Sequence, residues 1–596
     1  MPITNGPQTL ASLFADSVFN VPAFQRAYAW EQEPHLRNFI EDLRNHPVGE
    51  GKSYFFGTVL LTTDQNFDTQ MLSGYAVVDG QQRLTTASIF FAVGIARLSA
   101  DPDSSVLAEF YRERFIKDRL GTQKFHTISD DENFFVRFII GREIPTETRR
   151  ATPSQRRLLA AKNYFTAEMS TWLPLEIKDL IQILYKSFIL VYAVDTNAEA
   201  TQIFELQNDR GKRLTDLEAL KSYLMHGLFL NAGPNTEFDL GFVQRDFAEI
   251  YRAVEAMEGL IGSPDEDQLL SYHCIAFEPW ILLDDQSAGF QKPKQLVQRI
   301  LRCVDRNAKP DWIKDFSHRL RDSYVSVLHM LEARDGGRCE PLGDLTVLQR
   351  LAPFWPLLLK CWKADTTEKR SDFAAAVQAM RTFSFRSLVA GKRSDAGDAE
   401  LRNQARDFSN DFAALAARIK EMTTWWSIPD AFARNINASD FYEAGRVATY
   451  VLWRYENYLR SRIGKQAPGL VWQDVAAPAR PAVRFAKDHI EPQDQNNPNL
   501  ARLVKWDPTD AEERPFNDVY LHRLGNLVLD TIAMGSANGN AQFKERIPRY
   551  LESSIVSQTE VVTRFASKDE TGRSVWDEAA IRRRHEVVIA FAQDHL

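Results

Sequence analysis

The spacing of apolar residues changes twice along the chain, and these changes constrain the fold more than any single motif does. In residues 1–235, short apolar runs of strand length alternate with longer runs at helical spacing, as in α/β or α+β domains. Over 236–430 the helical spacing continues almost alone, and over 431–596 one helical stretch precedes loop-rich sequence. A chain of 596 residues is also too long for one hydrophobic core. The sequence therefore predicts an α+β, multidomain protein with these three regions as domains.

Single elements follow from the same spacing. Short apolar runs predict strands, and apolar residues every three to four positions predict helices. Thr215 and Glu218 have the spacing of a capping box, which predicts a helix that begins near Thr215. The other predicted elements are strands over 54–62, 75–79 and 188–195 and helices over 84–100, 198–207 and 440–462.

Charge and cysteine content exclude several classes of protein. The 80 acidic and 72 basic residues give a net charge of −8, which argues against a protein that coats nucleic acid but allows a local basic cleft. No apolar run approaches the ~18 residues of a membrane span, and residues 1–19 lack the pattern of a secretory signal. The four cysteines form no close pair, which argues against a zinc knuckle. We therefore expect a cytoplasmic protein with reduced thiols and no membrane partner.

The densest basic stretch runs from Arg112 to Lys162 and leaves two interpretations open. Its cations would suit contact with DNA phosphates. Acidic residues are mixed with them, so a solvated helical face fits at least as well. Its other basic residues include Arg114, Lys117, Arg119, Lys124, Arg149, Arg150, Arg156 and Arg157.

Near the C-terminus, acids, histidines and asparagines occur in three short segments, 487–492 (KDHIEP), 522–529 (HRLGNLVL) and 538–540 (NGN). Hydrolysis of a phosphodiester needs a base that activates water and a hard cation on the phosphate oxygens. His489 would be the base and Asp488 would bind Mg²⁺. Asn526 would either orient His489 or brace the loop between the segments. On its own, an Asp-His pair is more typical of a surface hydrogen bond.

A second group of polar residues lies where a predicted strand meets a helix, in 77–86 (VVDGQQRLTT). A helix N-terminus offers free N–H groups and a positive dipole end to a phosphate. Gly80 permits close approach of the backbone, and Arg83 can contact phosphate with two N–H groups. Asp79 would reach a metal ion or a ribose hydroxyl. The alternative is an ordinary Asp-Gly turn without a ligand.

Residues 21–30 (VPAFQRAYAW) are the other N-terminal candidate. An aromatic loop with glutamine and arginine suits stacking on a base and contact with phosphate or sugar. The alternative is a connector whose Tyr28 and Trp30 cover the core. The chain has no G-x-x-x-x-G-K-[ST] motif, so it is not a P-loop NTPase.

Together, these segments resemble GmrSD-type restriction endonucleases, which are modification-dependent and type IV-like. Residues 440–596, with DHIxP followed by LGNLxL, are similar to the HNH (ββα-metal) nuclease half of that family. Residues 10–225 carry P-x-F-Q-R-x-Y-x-W, YFFGTVLL, VVDGQQRLTT and FELQNDRGKRLTDLEALK in the order of its regulatory half. That half is related to the nucleotide-binding ParB/sulfiredoxin-like fold. The implied architecture is a ParB/sulfiredoxin-like N-terminal domain, a helical middle and a C-terminal HNH nuclease domain.

The resemblance also implies roles for individual residues. The implied nucleotide-binding residues are Asp79, Gly80, Gln81, Gln82 and Arg83 in the phosphate loop and Gln25, Arg26 and Tyr28 in the same pocket. The implied catalytic residues are His489, Asp488 and Asn526, and the implied ligands of Mg²⁺ (or Mn²⁺) are Asp488, Asn538 and Asn540. The family usually has an asparagine where an ungapped match places Gly535. Asn208, Gly211 and Lys221 match a later family segment, in which the first two are equally consistent with a helix-ending turn.

The function that the resemblance implies is restriction of modified foreign DNA in anti-phage defence by a nucleotide-regulated endonuclease or nickase. Its partners would be double-stranded DNA and a nucleoside triphosphate (NTP), with NTPase activity in the N-terminal domain. A homodimer is one way to make a double-strand break with a single HNH site per chain. Three alternatives remain: a nickase that senses phosphorothioate marks, an NTP-dependent DNA-binding switch with an inactive HNH domain, and an RNA-directed toxin.

Overall fold

The fold is α+β and forms two compact units, Met1–Leu331 and Glu332–Leu596. The ParB/sulfiredoxin-like and HNH assignments and the three-domain division stay predictions. The computed structural model describes residues 3–46, 53–67, 69, 72–145, 151–196, 199–200, 215–260, 262–279, 292–463, 469–470, 472, 485–493, 498–507, 509–531 and 541–596.

The first unit contains a mixed six-stranded sheet in the order β1-β6-β3-β4-β2-β5. The central strands β3 and β4 are antiparallel to each other, whereas β6 is parallel to β3 and β2 is parallel to β4. Three of the strands confirm the predicted ones, because apolar runs of this length are buried between neighbours. The six strands are β1 (Gly6–Thr9), β2 (Ser17–Asn20), β3 (Phe55–Thr63), β4 (Ser73–Asp79), β5 (Phe125–His126) and β6 (Phe188–Val194).

Twelve α-helices accompany this sheet in the described part of the first unit, and the last of them runs across the unit boundary. The predicted capping box at Thr215 is confirmed, because the Thr215 hydroxyl accepts from Glu218 N at 3.2 Å and Thr215 N donates to the Glu218 carboxylate at 3.1 Å. The helices are α1 (Leu10–Leu13), α2 (Arg37–Arg44), α3 (Gln81–Leu98), α4 (Ser105–Phe115), α5 (Ser129–Phe134), α6 (Pro153–Ser170), α7 (Pro174–Tyr185), α8 (Asp216–Asn231), α9 (Thr236–Met257), α10 (Glu266–Phe277), α11 (Pro293–Cys303) and α12 (Lys309–Asp335). Of the predicted helix over 198–207, only residues 199 and 200 lie in the described part.

Helix α3 is buried on nearly all sides and begins at Gln81, earlier than the predicted 84. It follows β4 directly because Gly80, its N-cap, has a φ of +92°. A Cβ at position 80 would lie 2.7 Å from Val59 Cγ1 and 3.1 Å from Thr58 O. Glycine is therefore required at this turn for both its conformation and its size.

The second unit is helical around a small antiparallel pair of strands. The predicted helix over 440–462 begins later, because Gly445 (φ +56°) separates a short turn at Phe441–Ala444 from α19. The helices are α13 (Glu340–Val347), α14 (Trp355–Ala364), α15 (Ser371–Val389), α16 (Asp398–Asp407), α17 (Phe412–Met422), α18 (Ile428–Ile436), α19 (Arg446–Ile463), α20 (Phe543–Glu552), α21 (Val556–Glu560) and α22 (Glu578–His595).

Strands β7 (Phe485–His489) and β10 (Leu527–Thr531) pair from Leu527 opposite His489 to Thr531 opposite Phe485. Helix α20 is the next described helix, so the chain order is strand, strand, helix. Four two-residue strands complete the unit: β8 (Leu503–Val504), β9 (Arg514–Pro515), β11 (Ser567–Lys568) and β12 (Ser574–Val575).

All four cysteines are free thiols; Cys274, Cys339 and Cys361 are buried, whereas Cys303 is exposed. Among the described residues, no helix combines the length and apolar character needed to span a membrane.

Candidate active site and nucleotide pocket

Asp488 and His489 lie at the end of β7, as the pattern predicted. One further backbone bond follows the last strand pair, from Ile490 N to Asn526 O at 2.8 Å. Both side chains therefore lie next to the Leu524–Asn526 turn, which leads into β10.

Asn526 is fully buried and braces the loop between the two segments. Its Oδ1 accepts from Glu491 N and from Trp576 Nε1, both at 2.9 Å. Its Nδ2 donates to Leu521 O at 2.9 Å. These bonds fit the bracing role, the second of the two roles considered for Asn526.

Helix α22 packs against the same Leu524–Asn526 turn. One nitrogen of buried Arg584, Nη1, donates to Gly525 O at 2.9 Å and to Leu527 O at 2.6 Å. A Cβ at Gly525 would lie 2.3 Å from Ile581 O, so only glycine fits against the helix. The conformation of the LGN segment therefore depends on its contacts with α22 as well as on its own residues.

Asp488 forms an ion pair with α20. Arg546 Nη1 lies 3.0 Å from Asp488 Oδ2 and donates to His489 O at 2.7 Å. Asp488 Oδ1 accepts from His489 N at 2.8 Å. Burial raises the pKa of the Asp488 carboxyl above its usual value, and the neighbouring Arg546 opposes this effect.

His489 is 4% exposed and turns its ring toward other polar side chains. Its Nε2 lies 3.1 Å from His522 Nδ1 and 3.2 Å from the side-chain nitrogen of Gln493. Burial, together with the neighbouring His522, lowers the pKa of His489 to about 3. The imidazole is therefore neutral near pH 7.

Four residues around His489 had no role assigned from the sequence: His522, Gln493, Tyr442 and Lys487. The Tyr442 ring lies 4.5 Å from the His489 ring, centre to centre, and the Lys487 ammonium sits 3.8 Å above that tyrosine. His522 could have been found, since it immediately precedes the LGN motif on the same loop. Tyr442 comes from a distant turn, and no spacing in the sequence indicates it.

The metal ligands predicted from the sequence are only partly described. Asp488 supplies a carboxylate, which suits Mg²⁺ or Mn²⁺, ions that use few protein ligands and keep several waters. Asn538, Asn540 and Gly535 lie outside the described residues. Within the described part of the chain, no group of three or more His, Cys, Asp or Glu side chains is placed to hold a metal.

In the first unit, the two glutamines of the DGQQR segment hold the 21–30 loop against α3. Gln82 Nε2 donates to Ala27 O at 3.1 Å, and Gln82 Oε1 accepts from Ala29 N at 2.9 Å. Gln81 Nε2 donates to Arg26 O at 3.1 Å. The two predicted N-terminal segments are therefore neighbours in space.

Several of the predicted nucleotide-binding residues bond to the protein itself. Gln25 Nε2 donates to Val78 O at 2.7 Å, and the Tyr28 hydroxyl lies 2.8 Å from Thr86 Oγ1. Arg83 Nη2 donates to Thr58 O at 2.5 Å. Burial raises the pKa of Asp79, although Arg83 opposes this shift.

Lys221, on α8, also bonds to the 21–30 loop. Its ammonium donates to Phe24 O at 3.0 Å, and burial lowers the pKa of Lys221 to about 8. The other two residues of its family segment, Asn208 and Gly211, lie outside the described residues.

A small cavity of about 10 Å³ opens between α3, the 21–30 loop and α5. Gln81 Oε1 and Asp131 Oδ1 are buried beside it without a hydrogen-bond partner among the described residues. Burial raises the pKa of Asp131 to about 6. The residues that line the cavity are Val21, Arg26, Tyr28, Gln81, Gln82, Thr85, Thr127, Ile128 and Asp131. Gln25, Asp79, Gly80 and Arg83 are not among these lining residues.

The basic stretch over 112–162 is partly used by the fold. Lys124 donates to Phe14 O and Ala15 O, and Lys162 donates to Phe138 O. Arg119 pairs with Glu113 at 2.9 Å. These three cations therefore bond to the protein, and DNA contact by the rest of the stretch stays a prediction; Arg149 and Arg150 lie outside the described residues.

Family models match both halves of the chain. The model described as "GmrSD restriction endonuclease, N-terminal domain" matches residues 10–225, and "GmrSD restriction endonucleases, C-terminal domain" matches residues 426–591. A search of curated proteins finds no match. The two matches contain the DGQQR segment with the 21–30 loop and the Asp488–His489 hairpin, respectively. The chain belongs to the GmrSD restriction endonucleases, enzymes that act on DNA in defence.

Proposed function

We propose that this protein is a cytoplasmic, nucleotide-regulated HNH endonuclease or nickase of the type IV kind, which restricts modified foreign DNA. The observation that carries this proposal is the hairpin of β7 and β10, which sets Asp488 and His489 beside a turn braced by Asn526. A buried, neutral histidine next to a carboxylate supplies both the base and the cation ligand that phosphodiester hydrolysis needs.

His489 would accept the proton of the attacking water. Asp488, with Asn538 or Asn540, would hold Mg²⁺ or Mn²⁺, which would neutralise charge on the phosphate oxygens. Asn526 keeps the loop in register, and Arg546 fixes the Asp488 carboxylate and the carbonyl of His489. The hairpin would thus position the base and the metal ligand before DNA arrives.

The nucleotide would bind at the cavity beside α3. At about 10 Å³ the cavity is far smaller than the ~300–1,000 Å³ of most small-molecule sites, so an NTP would lie mostly outside it. Arg26 supplies a positive charge for a phosphate, and the acceptors Gln81 Oε1 and Asp131 Oδ1 suit N–H or O–H donors of base or ribose. NTP binding or hydrolysis would bias the nuclease if two states bind NTP with different affinity.

One observation favours a second function, an NTP-dependent DNA-binding switch without cutting. Arg546 already pairs with Asp488, and a cation at this carboxylate has to share it with the arginine. Gly535 stands where the family usually has asparagine, which points the same way.

The test is cleavage of plain, cytosine-modified and phosphorothioated plasmids with Mg²⁺ or Mn²⁺, with and without each NTP. Cutting of cytosine-modified DNA that depends on NTP supports restriction of modified foreign DNA. Cutting of phosphorothioated DNA alone supports the phosphorothioate-sensing nickase. No cutting together with saturable NTP and DNA binding supports the switch and contradicts the nuclease proposal.

A further inference from the structure

Three polar side-chain atoms face one another at the open end of the β7–β10 hairpin. His489 Nε2 and His522 Nδ1 are 3.1 Å apart. The terminal amide nitrogen of Gln493 lies 3.2 Å from the first and 3.3 Å from the second. The three atoms form a nearly equilateral triangle, contributed by the end of β7, the loop after it and the turn before LGN.

Hydrogen bonding cannot satisfy all three contacts at once. An imidazole nitrogen is either an N–H donor or a lone-pair acceptor, and the end of an amide is either a donor NH₂ or an acceptor oxygen. Among three such atoms, two must share a role, so one contact always opposes two donors or two acceptors. A hydroxyl would resolve the conflict, but none of the three groups is one.

A bound cation would satisfy all three. The oxygen and nitrogen of a glutamine amide exchange places by a simple flip, so Gln493 can present its oxygen to the same point. A metal with bonds of about 2.0–2.1 Å separates neighbouring ligand atoms by about 2.9 Å in octahedral and about 3.4 Å in tetrahedral geometry. The observed separations of 3.1, 3.2 and 3.3 Å fall between these two values.

We propose that His489, His522 and Gln493 form a site for a divalent transition-metal ion that prefers imidazole, such as Zn²⁺ or Co²⁺. Two imidazole nitrogens and one amide oxygen favour such ions over Mg²⁺, which prefers oxygen ligands. The site differs from the Mg²⁺ site assigned to Asp488. The positive charges of Lys487 and Arg546 act on His489, so we expect them to weaken cation binding at this site.

The proposed consequence is inhibition, and this part rests on the proposed nuclease function. An ion bound at His489 Nε2 withdraws electron density from the imidazole and fixes its ring. The base is then less able to take a proton from water. Zn²⁺ should therefore oppose cleavage that Mg²⁺ supports.

Metal binding is tested directly on the full chain without DNA or nucleotide. Calorimetric titration with Zn²⁺, and visible absorption of added Co²⁺, should show binding that Gln493→Ala weakens about 10-fold and His522→Ala about 100-fold. The control is His329→Ala, which removes an exposed histidine of the first unit and should change nothing. Gln493 is exposed, so its replacement leaves the folded chain intact. Equal affinity in wild type and both site variants, or no saturable binding, overturns the proposal.

The inhibitory role is tested by adding Zn²⁺ to the Mg²⁺-dependent cleavage reaction. In Gln493→Ala, the Zn²⁺ concentration that halves the rate should rise about 10-fold above that of wild type. Equal sensitivity of the two proteins contradicts the inhibitory role. If neither protein cuts DNA at all, the proposed nuclease function fails, while the binding measurement still decides whether the metal site exists.

Discussion

The hairpin around His489 and the loop around α3 use their motif residues in different ways. In the hairpin, Asn526 and Asp488 are bonded into the fold, and His489 turns its ring toward a polar cluster. Around α3, most of the motif residues bond to the protein, and four of the eight predicted nucleotide-binding residues, Arg26, Tyr28, Gln81 and Gln82, also line the cavity. In both regions, the polar motif residues mainly build a frame of hydrogen bonds within the protein.

Replacement of His489 should give the largest effect on activity and so sharpens this comparison. His489→Ala should slow DNA cleavage about 10²- to 10⁴-fold, the usual contribution of a general base. NTP binding should not change, because His489 belongs to the nuclease region. Nicking rates on supercoiled plasmid and NTP titrations measure the two effects, with His329→Ala as control. A variant that cuts at the wild-type rate would remove His489 from the mechanism.

Asn526→Ala should act on stability as well as on activity. It leaves Glu491 N and Trp576 Nε1 buried without their acceptor, and each such loss costs about 1–3 kcal/mol. Thermal unfolding should therefore shift down strongly, together with loss of cutting. Unchanged stability with lost cutting would mean that Asn526 acts in the chemistry and not as a brace.

The lowered pKa of Lys221 predicts how the stability of the region around α3 depends on pH. Burial lowers the pKa of Lys221 from 10.5 to about 8 in the folded chain, so the unfolded chain holds this proton over a range in which the folded chain does not. Stability should consequently rise between pH 8 and pH 10.5, by up to about 3 kcal/mol from this group. The difference in unfolding free energy between wild type and Lys221→Met, measured across this range, isolates the effect. A constant difference would show that Lys221 is not buried in this way.

Arg26 lines the cavity beside α3, whereas Arg83 bonds to the protein itself. Replacing each arginine therefore tests the two roles separately. Arg26→Ala should weaken NTP binding about 10-fold, the effect of losing one charged hydrogen bond, and it also breaks the 3.3 Å ion pair with Glu266. Arg83→Ala should instead destabilise the first unit by about 1–2 kcal/mol, since Arg83 bonds to Thr58 O. The reverse pattern would place the phosphate at Arg83, as the sequence alone predicts.

The sequence was sufficient for elements that local rules control. Apolar runs located β3, β4 and β6, and the Thr215 capping box located the start of α8, because both depend on neighbouring residues only. The early start of α3 was missed, since it depends on the +92° φ of Gly80 and on its packing against Val59. The delayed start of α19 depends in the same way on Gly445.

Within the sites, the motifs located the right segments but did not show which side chains face outward. Arg546 and Tyr442 reach the hairpin from distant parts of the second unit, so no local spacing reveals the Asp488 ion pair or the ring beside His489. Asp131 reaches the α3 cavity from α5 in a comparable way. Such contacts depend on tertiary packing, and a sequence motif contains only one of the two residues in each contact.

The most direct measurement is single-turnover nicking of a cytosine-modified plasmid by wild type and His489→Gln, with thermal unfolding followed in parallel. We predict a rate at least about 100-fold lower for the variant, with both proteins unfolding within a few degrees of each other. A variant that nicks as fast as wild type, or that loses activity only because it unfolds, would contradict the claim that His489 performs the chemistry within a frame built by its neighbours.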